Sequence, residues 1–275
     1  MTISAKEVQE LRKMSGAGMM ECKSALSEAN GDLTEAFKLL REKGIAKAEK
    51  KSSRDANEGL IGIRKNADSA AIIEVNSETD FVSRNSEFHK LVSTILDIAI
   101  QNKSNVDKTV EDTKTIISDA VGKIGENIIL RKIKYLEGNI YSYIHNSATD
   151  CMGKIGVLIN FDTNAKDIGV IGKNICMHIA ASSPKSLTEN DLDKAIIESE
   201  KEIIFKQLED SGKPENILEK MMEGKLNKFF EENTLLGQKF VMDPTISVGQ
   251  YLKQKSEEAD IKIDIKEFLR FEIGL

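Results

Sequence analysis

The sequence has no tryptophan, only three cysteines and three histidines, and no long apolar run. Each scarcity removes a class of protein. Cys22, Cys151 and Cys176 are an odd number without a CxxC pair, which argues against a disulfide framework and suits a reducing compartment. No stretch approaches the roughly 18 consecutive apolar residues of a membrane-spanning helix. The opening "MTISAKEVQELRKM" lacks the apolar centre of a signal peptide, and Glu7 and Glu10 make it too acidic for a transit peptide. A cytoplasmic location is therefore expected. Positive charge is short as well: 45 acidic against 39 basic residues leave a net charge of −6, which repels phosphate backbones. The one basic segment, Lys43 to Arg54 ("KGIAKAEKKSSR"), holds no aromatic residue on which a base could stack. It reads as a solvated linker, and direct nucleic-acid binding is not expected.

What remains is an ordinary globular composition, 40% hydrophobic and 31% charged, in a chain of 275 residues with room for two domains. Residues 1 to about 44 read as three helices. Ser4 precedes a helix carrying Val8 and Leu11, and "SGAGMM" breaks it. Cys22, Ala25, Leu26 and Ala29 recur at helical spacing, and "NGDL" turns into a third helix with Ala36, Phe37, Leu39 and Leu40. Gly44 stands where a helix C-cap is expected, with a charged linker after it. From Glu58 the pattern changes to short strands, and it does so twice. "EGLIGI" and "AAIIEVN" are followed by a helix striped with Phe88, Leu91, Val92, Ile95, Leu96 and Ala99. "EGNIYSYIHN" and "KIGVLIN" are followed by one striped with Ile168, Ile171, Ile175 and Ile179, and the strand-ending Asn76 and Asn160 lie 84 residues apart. The expected fold is therefore α+β, with a duplicated unit of antiparallel strands and a helix on one face. Between the copies "TKTIISDAVGKIGENIILRKIKYL" adds a helix and a strand. After the second copy, a capping box at Thr188 and Asp191 opens a helix through about Leu208, "SGKP" turns the chain, and Ile217 to Phe230 stripe a returning helix. Ser247 and Gln250 cap a further helix, and Ile261, Ile263, Ile265, Leu269, Phe271 and Ile273 alternate along a last strand.

Chemistry-bearing patterns are few. "SGAGMM" lacks the lysine and hydroxyl residue of a phosphate-binding loop, and the histidines, His89, His145 and His178, are too dispersed for a metal signature. No metal or cofactor is expected. Glu74, Glu78, Asp80 and His89 fall within sixteen residues and are the one group that suggests metal binding or acid–base catalysis, but a solvated loop accounts for all four without strain, and catalysis is not expected. Beside them "NSETDFVSRN" puts Phe81 on what should be a loop between a strand and a helix. A ring there is either an interface anchor, which buries much area at small entropic cost, or is folded back under its own strand.

Several stretches, taken in order, carry a resemblance: "LRKMSGAGMMECKSAL", "LREKGIAKAEKKSSR", "ETDFVSRN", "MHIAASSP", "SGKPENILEKMMEGKLNKFF" and "LLGQKFVMDPTISVGQYL". Together they resemble the bacterial elongation factor Ts family. The resemblance implies a non-enzymatic guanine-nucleotide exchange factor in translation elongation. Such a factor binds elongation factor Tu in its GDP-bound and nucleotide-free forms and disturbs its magnesium and phosphate site. A binding adaptor without exchange activity is the alternative. By the same resemblance Thr79, Asp80, Phe81 and Val82 form the exchange loop, and residues 1–54 are a ubiquitin-associated-like domain with its linker. Arg12, Met19 and Met20 of that domain meet the partner, with one methionine expected to be buried and the other presented. Residues 55–136 form the first α+β core subdomain, carrying the exchange loop. Residues 137–275 form the second, in which His145 is a contact position followed by a loop, "NSATDCMG", that looks long for the family. The helical hairpin inserted at about 188–233 is where self-association to a homodimer is implied. No membrane is expected as a partner.

Overall fold

A computed structural model describes residues 3–165, 167–209 and 214–274. The chain divides into two compact units: Met1–Leu136, Asn146–Gly156 and Phe271–Leu275 form one, Glu137–His145 and Val157–Arg270 the other. Each combines antiparallel strands with helices.

The first unit starts with three helices, α1 (Ala5–Ser15), α2 (Met19–Glu28) and α3 (Leu33–Lys51). Ser4 and Glu7 form a reciprocal capping box on α1, and Gly16, at φ 67°, ends it in the left-handed conformation that glycine adopts without strain. Asp32 caps α3 by accepting from the N–H groups of Thr34 and Glu35. Leu11, Cys22, Ala25, Leu26 and Ala36 are fully buried and with Val8 make a small core of their own. Helix α3 does not stop at Gly44 as the sequence suggested; it runs on to Lys51. The apparent linker is helical because Ala48 packs against the main core, and Gly122 of a later helix passes close by: a methyl group added at Gly122 would lie 3.5 Å from the Gly44 Cα, in ordinary contact.

Strands β1 (Glu58–Lys65) and β2 (Ser69–Ser77) form a hairpin with Ile61 opposite Glu74 and Gly59 opposite Asn76. All of β2 is buried, which is why it reads as a nearly unbroken apolar run. A one-turn helix α4 (Asp80–Ser83) leads into α5 (Ser86–Asn102), then α6 (Val106–Ile124) and β3 (Ile128–Glu137). Phe88, Leu91, Val92, Ile95, Leu96 and Ala99 of α5 all enter the core beside Leu60, Ile73 and Val75. The five larger of these contribute about 1.5 to 3 kcal/mol of burial each, so this helix is firmly seated. Gly62 allows the seating: a Cβ there would stand 2.9 Å from Leu96 and 3.0 Å from Val92. The sheet order in this unit is β3–β2–β1, with the start of β5 (Met152–Thr163) beyond β1.

In the second unit, β4 (Asn139–Thr149) and β8 (Ile263–Glu272) flank β5. Helix α7 (Gly169–Ser182) approaches β4 so closely that a Cβ at Gly172 would fall 2.4 Å from the Tyr141 ring. The long loop expected after His145 is not there. The strand continues to Thr149, and only Asp150 and Cys151 separate it from β5. Thr188 and Asp191 do form their capping box, but it closes a single 3-10 turn over Glu189–Asp191; the next helix, α8, begins separately at Lys194 and runs to Glu209. Helix α9 (Glu215–Asn233) follows; most of the expected "SGKP" turn lies outside the described residues. A short hairpin, β6 (Lys239–Phe240) and β7 (Asp243–Ser247), leads to α10 (Val248–Ala259), capped by Ser247 and Gln250 as the sequence indicates. His178 ties α7 to the hairpin region. The Val241 N–H donates to its Nδ1 at 3.2 Å, which leaves Nε2 to donate to Gln238 Oε1 at 3.0 Å.

Candidate functional site

Strand β2 leaves the core at Ser77, whose hydroxyl donates to the Thr79 carbonyl at 3.1 Å. Thr79 is extended, at the position before α4 where a threonine hydroxyl usually accepts from the helix. Here it is turned elsewhere. Thr79 Oγ1 donates to Glu126 Oε1 at 2.6 Å, and the Thr79 N–H donates to Glu126 Oε2 at 3.0 Å. The turn that follows is held from below. Val82 is 6% exposed and belongs to the main core, and Ser83 is buried with its hydroxyl on the Asp80 carbonyl at 2.7 Å. His89 Nε2 lies 2.8 Å from the Ser83 carbonyl, so that nitrogen carries the proton. Successive helical residues differ by about 100° in direction, so sinking Val82 and Ser83 forces Phe81 outward. Its ring is 78% exposed, more than any other large apolar side chain described.

Asp80 pairs with Arg84 at 2.9 Å, both side chains being well exposed. Such a pair is worth under about 1 kcal/mol, so the carboxylate is available to another cation or donor at little cost. The loop therefore offers a rigid apolar wedge beside a releasable negative charge. Glu74 is fully buried and meets Lys132 at 3.0 Å, Glu78 accepts from the Asn127 N–H at 2.6 Å, and His89 faces Ser83. These side chains serve separate local contacts and do not converge on a shared point. Among the described residues no three His, Cys, Asp or Glu side chains gather where they could hold a metal ion, and no helix is long and apolar enough to cross a membrane.

The other residues singled out in the sequence are all at the surface. Arg12 is exposed on α1. Met19 and Met20 open α2 at 60% and 73% exposure, so both methionines are presented, where one had been expected inside. The three-helix core is already filled by Leu11, Cys22, Leu26 and small residues, which leaves neither a place. His145 is exposed on β4, its Nδ1 3.2 Å from the Tyr143 hydroxyl. Sequence reasoning missed Glu126 and Asn127, which lie nearly fifty residues from the loop they hold. "GENI" carries no motif that announces such a role, and only the pairing of β3 with β2 brings it there.

Comparison with known proteins gives a consistent result. A family model described as Elongation factor TS matches residues 78–275. A curated protein of Bartonella henselae named "Elongation factor Ts" is 46% identical, the match covering 100% of this chain and 94% of that protein. One of Paracoccus denitrificans with the same name is 47% identical over 94% of this chain and 90% of its own length. One of Mesorhizobium japonicum, also so named, is 44% identical over 100% and 94%.

Proposed function

The chain belongs to the elongation factor Ts family, and on that premise we propose that it is a guanine-nucleotide exchange factor for elongation factor Tu in translation elongation. It binds the GDP form of that GTPase, promotes release of GDP, and holds the nucleotide-free form until GTP enters. It makes and breaks no covalent bond. The single observation that carries this reading is Phe81, a ring 78% exposed on a turn held by Thr79, Val82 and Ser83. Phe81 is the wedge, Asp80 the charge that perturbs the partner's magnesium and phosphate site, and Thr79 and Val82 the anchors of the loop.

Physically this is linkage. GDP and magnesium support each other in a GTPase, so weakening one loosens the other, and the coupling is reciprocal. Loosening a nucleotide about ten-thousand-fold requires about 5.5 kcal/mol of differential binding. One ring contributes about 1.5 to 3 kcal/mol when buried, so further contacts must share the work. Arg12, Met19 and Met20 are assigned to the partner's nucleotide domain and His145 to another of its domains. Their exposure supports that assignment.

Residues 1–54 form a ubiquitin-associated-like domain with its linker, a reading supported by its separate small core. Residues 55–136 and 137–275 are two copies of one α+β unit. Support comes from a pair of glycines: Gly59 and Gly138 both sit at φ 134°, and an added Cβ would reach 2.7 Å from the Asn76 Cα in one case and 2.5 Å from Asn160 Oδ1 in the other. The helical insertion at about 188–233 mediates self-association, for which Ile203, Phe205 and Ile217, each more than two-fifths exposed, supply apolar area. The protein acts in the cytoplasm. The test is release of fluorescent GDP from elongation factor Tu: acceleration by this chain supports exchange, while binding without acceleration leaves only an adaptor.

A further inference from the structure

The exchange loop is held by a crossed pair of carboxylates, neither of them among residues 79–82. Glu126 accepts both donors of Thr79, and one residue along, the Asn127 N–H donates to Glu78 Oε1 at 2.6 Å. The corner that carries Glu126 is itself fixed. Gly125, left-handed at φ 88°, ends α6 and turns the chain, and its carbonyl accepts from Lys51 Nζ. The Asn127 side chain donates to the Arg54 carbonyl at 2.7 Å, and Arg54 stands 3.4 Å from Glu78. Glu126 is thus a half-buried bidentate acceptor on a braced corner, and both its oxygens are engaged.

We propose that Glu126 is the positioning residue of the exchange loop: its grip on Thr79 fixes how α4 leaves the fold, and so the direction in which Phe81 and Asp80 are presented. This rests on the exchange reading given above. A wedge works only if its angle is set before docking; otherwise the partner's contacts are consumed in ordering it. Without Glu126 the Thr79 hydroxyl is free to return to the ordinary capping role, accepting from the N–H groups of α4, and the turn pivots about Val82. Glu126 touches no nucleotide and acts through Thr79.

Two readouts on the full chain test this, comparing wild type with Glu126→Ala, Glu126→Gln and Thr79→Val. The first is amide hydrogen exchange at Thr79 and through α4 in the free protein. The second is the maximal rate of fluorescent GDP release from elongation factor Tu. Glu126→Ala should expose the Thr79 amide to exchange and slow release about tenfold. In Glu126→Gln the amide oxygen still accepts from the Thr79 N–H and the amide nitrogen donates to its hydroxyl, so both readouts should stay within about twofold of wild type. Thr79→Val removes one of the two bonds and should fall between. The Glu126→Ala and Thr79→Val losses should also fail to add in the double variant. Should Glu126→Ala not fold, Glu126→Gln and Thr79→Val decide. A Glu126→Ala protein with wild-type release overturns the proposal, and so does a Glu126→Gln protein as slow as Ala. If the wild-type chain itself released no GDP, the exchange reading would fall, while Thr79 amide protection would still report whether the grip exists.

Discussion

Because the Phe81 ring is 78% exposed, replacing it removes almost no packing from the fold. Phe81→Ala should leave the melting temperature within about 2 °C of wild type and slow GDP release by at least tenfold, since a buried aromatic anchor contributes more than about 1.4 kcal/mol. A drop of many degrees in a thermal melt would mean the ring serves its own core. His178 gives a second prediction at this scale. Burial holds its pKa below the ordinary value of 6.5, partly offset by the hydrogen bond with Gln238. As pH falls the unfolded chain takes up the proton first, so the stability His178 contributes is complete above 6.5 and is lost as pH falls toward the folded value. Melts between about pH 7.5 and about pH 5.5 should show that loss, and His178→Gln should flatten it. The identity of Phe81 was legible in the sequence. Its direction was not, because that depends on Val82 and Ser83 sinking beneath it, a contact between elements.

At the scale of elements, the helices and strands follow the apolar periods closely, from the α5 stripe to the alternation of Ile263, Ile265 and Phe271 in β8. The failures share a cause. Gly44 looked like a stop because glycine so often ends helices, but α3 continues since Ala48 and the close pass of Gly122 reward it. That correction is testable. An added Cβ at Gly44 meets nothing within 4 Å, so Gly44→Ala should stabilise the protein by about 0.5 to 1 kcal/mol in chemical denaturation. A left-handed cap would give the opposite sign. Gly59→Ala should behave in the opposite way: at φ 134° its Cβ would stand 2.1 Å from the Val75 carbonyl oxygen, and a loss of more than about 2 kcal/mol is expected from the same titration. The capping box at Thr188 closes one 3-10 turn ahead of α8 and not α8 itself, because a capping pattern marks a start without fixing how far the helix runs.

For the whole molecule, family membership and the loop motif were readable from residues alone, whereas the bracing of that loop was not. Glu126 reaches Thr79 because α6 ends at Gly125 and β3 then pairs with β2, and no local pattern encodes that meeting. An exchange factor works through differential affinity, so the deciding quantity is a rate. The most direct measurement is stopped-flow release of fluorescent GDP from elongation factor Tu, with magnesium present and excess unlabelled nucleotide as the chase, as this chain is titrated in. Release should accelerate by orders of magnitude and saturate with wild type, with Phe81→Ala far slower at the same concentrations. Tight binding with the spontaneous release rate unchanged would rule out exchange.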